Sequence, residues 1–475
     1  MLHLPFLFDF DKVSSRKHGM TEAMALDKFK LNTPEEKERH RITIVNCGRI
    51  GLATACLFSD ADLNAICFNS DPYITKRINE GSIVFSEQEL NEMLKKNLTR
   101  RKLRATTDIR EAVSSSDIIF FADEIPIDGK KRPIYTELEE NCRGVGLNLY
   151  PGSLIIVQSI LAPSITENLI IKTLERTSGL EAGVDFGIAY SPAAAPAGGE
   201  LDYLRRGTRI ISAINEQSLK AAEAVLRLIS DGEFIRINDI KTAEAAAVFS
   251  DIYQDVNVAL SNELASFCEK MGIDYIEVLR AVNSQPHCYL SIPNIEGGRS
   301  TETPHLLISE ADNIGIKLRM ASLARRMNDE TSKQAYNLIR DAIHSCRKNV
   351  KRAKITILGA SRSLREAKES QILELVRLLR KRGGRVSIFD PCFQSDELLQ
   401  LGYPAEKTLE KALEYADCLV IAIRRKEFES LSLGSVRAIM KKPPIIVDLA
   451  NIVDPHKAER EGFIYRGLGR GVWKR

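Results

Sequence analysis

One stretch constrains the whole chain. From residue 240 to 272, IKTAEAAAVFSDIYQDVNVALSNELASFCEKMG places apolar residues at three- and four-residue spacing. The pattern holds for roughly nine helical turns before a glycine stops it. A helix of that length in mid-chain bridges two folding units or pairs with its own copy. On its N-terminal side, short β-branched runs alternate with helical patterns: RITIV (41–45), LNAICFN (63–69), DIIFFA (117–122), SLIIVQS (153–159), GIAYSP and TRIISAIN. The same alternation follows it, in KRAKITILGAS (351–361), the helix ILELVRLLRKRGG, RVSIFDP, DCLVIAI (417–423) and PPIIVDLAN (443–451). Strands that alternate with helices build parallel sheets covered on both faces, with right-handed crossovers. The expected fold is therefore α/β, with two Rossmann-like, doubly wound parallel-sheet domains joined by a long-helix central domain. The expected boundaries are 1–40 for an N-terminal extension, 41–214, 215–345 and 351–475. A chain of 475 residues holds about three such units.

Composition removes several classes. Sixty-seven basic against 64 acidic residues leave a net charge of +3, which makes no case for a nucleic-acid or membrane surface. The nine cysteines are scattered and form no CxxC pair, so no metal site is expected and the thiols read as reduced, mostly buried groups of a cytoplasmic protein. No apolar run reaches the ~18 residues of a membrane span. The N-terminal LPFLF is followed by Asp9 and Asp11, the wrong pattern for a secretory signal.

Five strings stand in order along the chain: SNELASFCEKMGID, VNSQP, LARRMND, the SIFDP strand end and the closing GFIYRGLGRG. With the surrounding βαβ order, they resemble the UDP-glucose/GDP-mannose dehydrogenase family over residues 41–475, and the NSQP segment is most like the UDP-N-acetylmannosamine type. The resemblance implies an NAD-binding domain at 41–214, a dimerising central helix and a C-terminal UDP-sugar-binding domain. It also implies the chemistry, an NAD-dependent oxidation of the C6 hydroxyl of a nucleotide sugar to a carboxylate.

Set against that family, the reactive positions of this chain depart from the pattern. A dinucleotide-binding turn needs glycines, so that backbone approaches the pyrophosphate at a helix N-terminus. The six turn positions here are Asn46, Cys47, Gly48, Arg49, Ile50 and Gly51, with Asn46 replacing the first glycine. Asn tolerates positive φ, Gly48 permits close approach, and Arg49 is positioned for a phosphate contact. Asn69 stands where the ribose-binding acid is expected, with Asp71 as a nearby substitute. NAD is thus the expected cofactor, held more weakly, or else the turn is kept only for packing. The family's two cofactor-side threonines become Ile125 and Ile160, with Ser159 still a hydroxyl.

Two successive hydride transfers require a thiolate to hold the aldehyde. Aligned on Gly297 and Gly298, its position is Ser300. The lysine that stabilises the oxyanion becomes Ala247, its asparagine partner Asp251, and the glutamate after SP becomes Ala193. A water-orienting acid corresponds to Glu366, with Arg362 or Arg365 beside it. Lys241 is six residues from Ala247, on another helix face. The His287–Cys288 pair precedes the glycines and reads as coincidence, with Cys288 an apolar filler. Gly297, Gly298 and Arg325 remain as substrate-side positions, Arg325 and Asn328 facing the long helix.

Such losses are not additive, but together they remove the family route. The expectation is a catalytically impaired or inactive nucleotide-sugar 6-dehydrogenase, a pseudoenzyme that keeps its fold and dimer helix. It would bind NAD, a nucleotide sugar or an active paralogue. Two alternatives stand beside it. One is a working oxidoreductase limited to a single two-electron step, with Asp251 or Glu302 as base. The other is a structural or heteromeric partner that binds no small ligand.

Overall fold

The computed structural model describes residues 40–475 apart from 84–86, 196–197, 299, 362–363, 369 and 475, preceded only by Thr33, Glu36 and Lys37. The expected extension at 1–40 thus lies almost wholly outside the described residues, as do Arg362 and the side chain of Arg365.

The β-branched runs become strands because alternate residues are buried against helices on both faces. The first sheet contains β1 (Arg41–Val45), β2 (Asn64–Phe68), β3 (Leu103–Thr106), β4 (Ile118–Phe121), β5 (Leu154–Val157), β6 (Gly187–Tyr190), β7 (Arg209–Ala213) and β8 (Phe234–Arg236). Their order is β3-β2-β1-β4-β5-β6-β7-β8, and every pairing is parallel except β6 with β7. The second sheet is wholly parallel, in the order β10-β9-β11-β12-β13. Its strands are β9 (Lys354–Leu358), β10 (Arg385–Phe389), β11 (Cys418–Ile421), β12 (Ile445–Asp448) and β13 (Ile464–Gly467). The architecture is the expected α/β one, with two doubly wound sheets and a helical segment between them. The first sheet, however, runs past residue 214, because the helix Glu216–Arg227 packs back on it and β8 extends its edge.

The long helix runs from Ile240 to Met271. Asp239 caps it by accepting from the Thr242 N–H at 2.8 Å, and Gly272 ends it at φ 72°. Its buried side is not purely apolar. Glu244, Asp251, Asp255, Asn257, Ser261 and Asn262 are all buried on it. Another face leaves Phe249, Tyr253, Leu260, Phe267 and Met271 exposed.

The closing GLGRG segment fastens the second sheet to the far end of this helix. The Gly469 N–H donates to Glu269 at 2.9 Å, and Arg470 pairs with Asp274 at 2.7 Å. A Cβ on Gly471 would sit 2.3 Å from the Cys268 carbonyl, so only glycine allows this approach. Both sheets are thereby held against one helix.

Candidate functional site

In open α/β sheets, ligands bind outside the carboxyl ends of the strands where the strand order reverses. In the first sheet that point lies between β1 and β4. Asn46 takes φ 56°, so the turn survives with asparagine in the left-handed region. Gly48 caps the helix Arg49–Asp60 with no side-chain hydrogen bond and no acid in the first turn, which leaves its N–H groups aimed outward. A Cβ on Gly51 would meet Ile44 Cγ2 at 2.9 Å and Ala122 Cβ at 3.0 Å, so only glycine lets the helix lie this close to the sheet. The backbone of the turn therefore fits a pyrophosphate.

The side chains around the turn are already committed. Asn46 Nδ2 donates to Asp123 and to Glu137, both at 3.2 Å, while its Oδ1 accepts from Asn69 at 3.3 Å. Asn69 Oδ1 accepts from the Asp71 N–H at 2.9 Å. Asp71 does not replace the missing ribose acid. It caps the next helix, accepting from the Tyr73 N–H at 2.8 Å. Arg49 does not extend over the turn as expected of a phosphate contact. Its guanidinium pairs with the buried Glu200 and donates to the Ala195 carbonyl at 3.1 Å. The amide of Asn69 at the end of β2 is a weaker hydrogen-bond acceptor than a carboxylate would be there.

Asp123, at the end of β4, is buried. Its Oδ1 also accepts from Asn141 at 2.7 Å, but its Oδ2 has no hydrogen-bond partner. Burial, reinforced by the Glu137 charge and only partly offset by the two asparagine donors, pushes its pKa up to about 7. Between the unfolded value near ~4 and about 7, the folded chain keeps a proton that the unfolded chain has released. This contribution is complete below pH ~4 and is lost as pH rises through about 7, by up to ~4 kcal/mol. Asp448, whose pKa burial raises to about 6, adds in the same direction. Asp123→Asn is expected to flatten most of the slope. Urea midpoints of both proteins at pH ~5 and ~8 check this, and equal slopes would refute it.

Beside the turn lies a small cavity of about 110 Å³. Ile50, Ile125, Ile160, Ala193, Asp251 and Ser300 all line it, so positions far apart in sequence converge at one place. Glu366 reaches the same cavity from the second sheet, and Glu302 and Ser159 also face it. Among the described residues that line it there is no cysteine and no lysine. Ala247 is buried one turn before Asp251 on the long helix. Cys288, expected as an apolar filler, is exposed instead. Its neighbour His287 sits at φ 68°, in a turn that lets both side chains point outward.

A larger cavity of about 830 Å³ opens between the two sheets and the long helix. Gly297 and Gly298 line it, as does the run Arg424, Arg425 and Lys426 that follows β11. The fold places this basic run at the second sheet's own switch point, between β9 and β11. Arg425 is buried and pairs with Asp390 at 2.8 Å. Arg325 lies beneath the glycine pair and is not among the residues that line the cavity. It is buried between Asp255, at 2.7 Å, and Asp329, at 3.1 Å. Asn328 donates to the same Asp255 carboxylate at 2.9 Å, and the Gly298 N–H does so at 3.3 Å. Arg325 thus supports the glycine pair from beneath, facing the long helix, with its Nη2 atom against Gly297.

Three asparagines hold the loop that walls this cavity. Asn283 accepts from the Leu290 N–H at 2.7 Å and donates to its carbonyl at 2.9 Å. Asn257 accepts from the Ser291 N–H at 3.1 Å and donates to the Tyr289 carbonyl at 3.0 Å. Asn262 makes both bonds to Asn294, each at 3.0 Å. Each amide acts as a fork on the loop backbone. Nothing in the spacing of these residues announces it.

Family models match the chain in three consecutive parts. They are the NAD binding domain of the UDP-glucose/GDP-mannose dehydrogenase family at residues 40–230, its central domain at 241–330 and its UDP binding domain at 362–455. A UDP-N-acetyl-D-mannosamine dehydrogenase of Pyrococcus horikoshii is 30% identical over 91% of this chain and 99% of its own length. The solved structure of that organism's UDP-D-ManNAc dehydrogenase superimposes with a TM-score of 0.76 at 28% identity, covering 91% of this chain and all of its own. An NDP-N-acetyl-D-galactosaminuronic acid dehydrogenase from Methanosarcina mazei gives a TM-score of 0.68 at 26% identity, over 96% of this chain and all of its own. Fold, cofactor turn and interdomain cavity agree with these likenesses, and the chain belongs to the UDP-glucose/GDP-mannose dehydrogenase family.

Proposed function

We propose that this chain is a catalytically silent nucleotide-sugar-binding member of its family, one that keeps the ligand clefts and has lost the reaction. The observation that carries this reading is the lining of the small cavity. Ala193, Ile125, Ile160, Asp251 and Ser300 stand around it, with no thiol or ammonium among its described lining residues. Without a strong nucleophile the aldehyde cannot be held for the second oxidation. A carboxylate at Asp251 disfavours a developing oxyanion.

The larger cavity has the size and polarity of a nucleotide-sugar site. The backbone of the turn Asn46–Gly51 would hold an NAD pyrophosphate, and NAD bound there would supply a hydride acceptor. With Asn69 in the ribose position, affinity is expected to be low. Purified protein with UDP-sugars and NAD or NADP should form no reduced cofactor, while UDP-sugars raise the Tm at saturation. Clear turnover would overturn the proposal.

A second reading rests on Asp251 and Glu302 lining the same cavity. Either would serve as base for a single oxidation of alcohol to aldehyde, and the same assay separates the two readings.

We further read the exposed stripe Phe249, Tyr253, Leu260 and Phe267, continued by Met320 and Leu323, as the contact face for a second copy of the chain or a paralogue. Among the described residues no helix is long and apolar enough to cross a membrane. The nine free cysteines support a cytoplasmic setting.

A further inference from the structure

We propose that Cys47 and Cys67 form a reversible disulfide beneath the cofactor turn, so that oxidation fastens the turn to the neighbouring strand. Cys47 is the second residue of the turn and Cys67 the fourth of β2. Their sulfurs lie 2.8 Å apart, in contact, and both side chains are buried.

The backbone brings them together. β1 and β2 run parallel with Ile44 opposite Cys67, and the Cys47 N–H donates to the Phe68 carbonyl at 3.2 Å just past the last paired residues. The turn after β1 carries Cys47 back over the end of β2, and the sulfur contact at 2.8 Å leaves little movement before an S–S bond can form. Cys56, on the helix that leaves the turn, packs in the same apolar layer, but the 2.8 Å sulfur contact joins Cys47 to Cys67, so the pairing is 47 with 67.

The chemistry balances with a peroxide as oxidant. One thiol, as thiolate, attacks a peroxide oxygen to give a sulfenic acid and one water. The second thiol then displaces the hydroxyl as another water, forming the S–S bond. Two thiols lose two hydrogens and one hydrogen peroxide becomes two waters. Burial pushes the Cys47 thiol up and keeps it protonated, so reaction waits for local opening of the turn. Once formed, the bond closes a loop between residues 20 apart and restricts the unfolded chain.

The test uses the full chain with Cys288→Ser, since Cys288 is exposed and reacts first. After hydrogen peroxide, alkylation in denaturant and non-reducing peptide mapping should find a 47–67 linked peptide lighter by two hydrogens. Its Tm should rise by about 5 °C and return with dithiothreitol. Adding Cys67→Ser should abolish the linked peptide and the Tm rise, whereas adding Cys56→Ser should keep both. The proposal is overturned if every remaining thiol still alkylates after peroxide, or if the linkage found joins Cys56 instead. A merely destabilised Cys67→Ser variant does not blur the result, because the linked peptide is read in the Cys288→Ser protein alone.

Discussion

Ser300→Cys, Ala247→Lys and Ala193→Glu together are expected to give this chain a dehydrogenase turnover that the unaltered chain lacks. Ser300 and Ala193 line one cavity, so a thiol and a carboxylate placed there would face each other across it. A lysine at position 247 would lie one helical turn before Asp251, close enough to pair with it and offset its charge. A single electrostatic donor is worth ~10²–10³ in rate, and groups that act as a unit fail together. Each single substitution should therefore stay silent while the triple gains measurable formation of reduced NAD with a UDP-sugar. A folded triple variant no faster than Ser300→Ala would sink the register on which the proposed function stands.

The second large effect separates two buried arginines. Arg325 is 2% exposed and bonded to Asp255 and Asp329, whereas Arg209 is 0% exposed and none of its three guanidinium nitrogens has a hydrogen-bond partner. Burial lowers the Arg209 pKa to about 10, against a small opposing influence from Tyr203. Arg325→Leu leaves the Asp255 carboxylate buried and stripped of its cation, a loss of about 3–5 kcal/mol. Arg209→Leu removes a costly buried charge and should be neutral or stabilising by about 1–4 kcal/mol. Urea unfolding of both variants decides it. Comparable destabilisation by the two would show that Arg209 has an attractive environment after all.

Much of the fold was legible because it rests on local periodicity. RITIV, DIIFFA and the residues from Ile240 to Gly272 declare strand, strand and helix within their own windows. β3, β8 and β13 were not legible. LRAT, FIR and IYRG are three or four residues long, carry arginine, and become strands only because a sheet edge is there to pair with. The site divides in the same way. Ala193, Asp251 and Ser300 were placed by resemblance, and the fold brings them to one cavity. Arg325 and Asn328 do face the long helix as expected, but the partner they meet there, Asp255, lies 70 residues from Arg325, and no local pattern shows a buried ion pair. The asparagine forks and the Arg425–Asp390 pair were missed for the same reason.

Those forks grip main-chain atoms of the loop at Tyr289, Leu290, Ser291 and Asn294 and take nothing from its side chains. Residues such as Tyr289 and Ile292, which wall the larger cavity, are therefore free to change without loosening the loop. Ligand preference and scaffold integrity become separately mutable traits, and the chain can explore new cargo while its frame stays put.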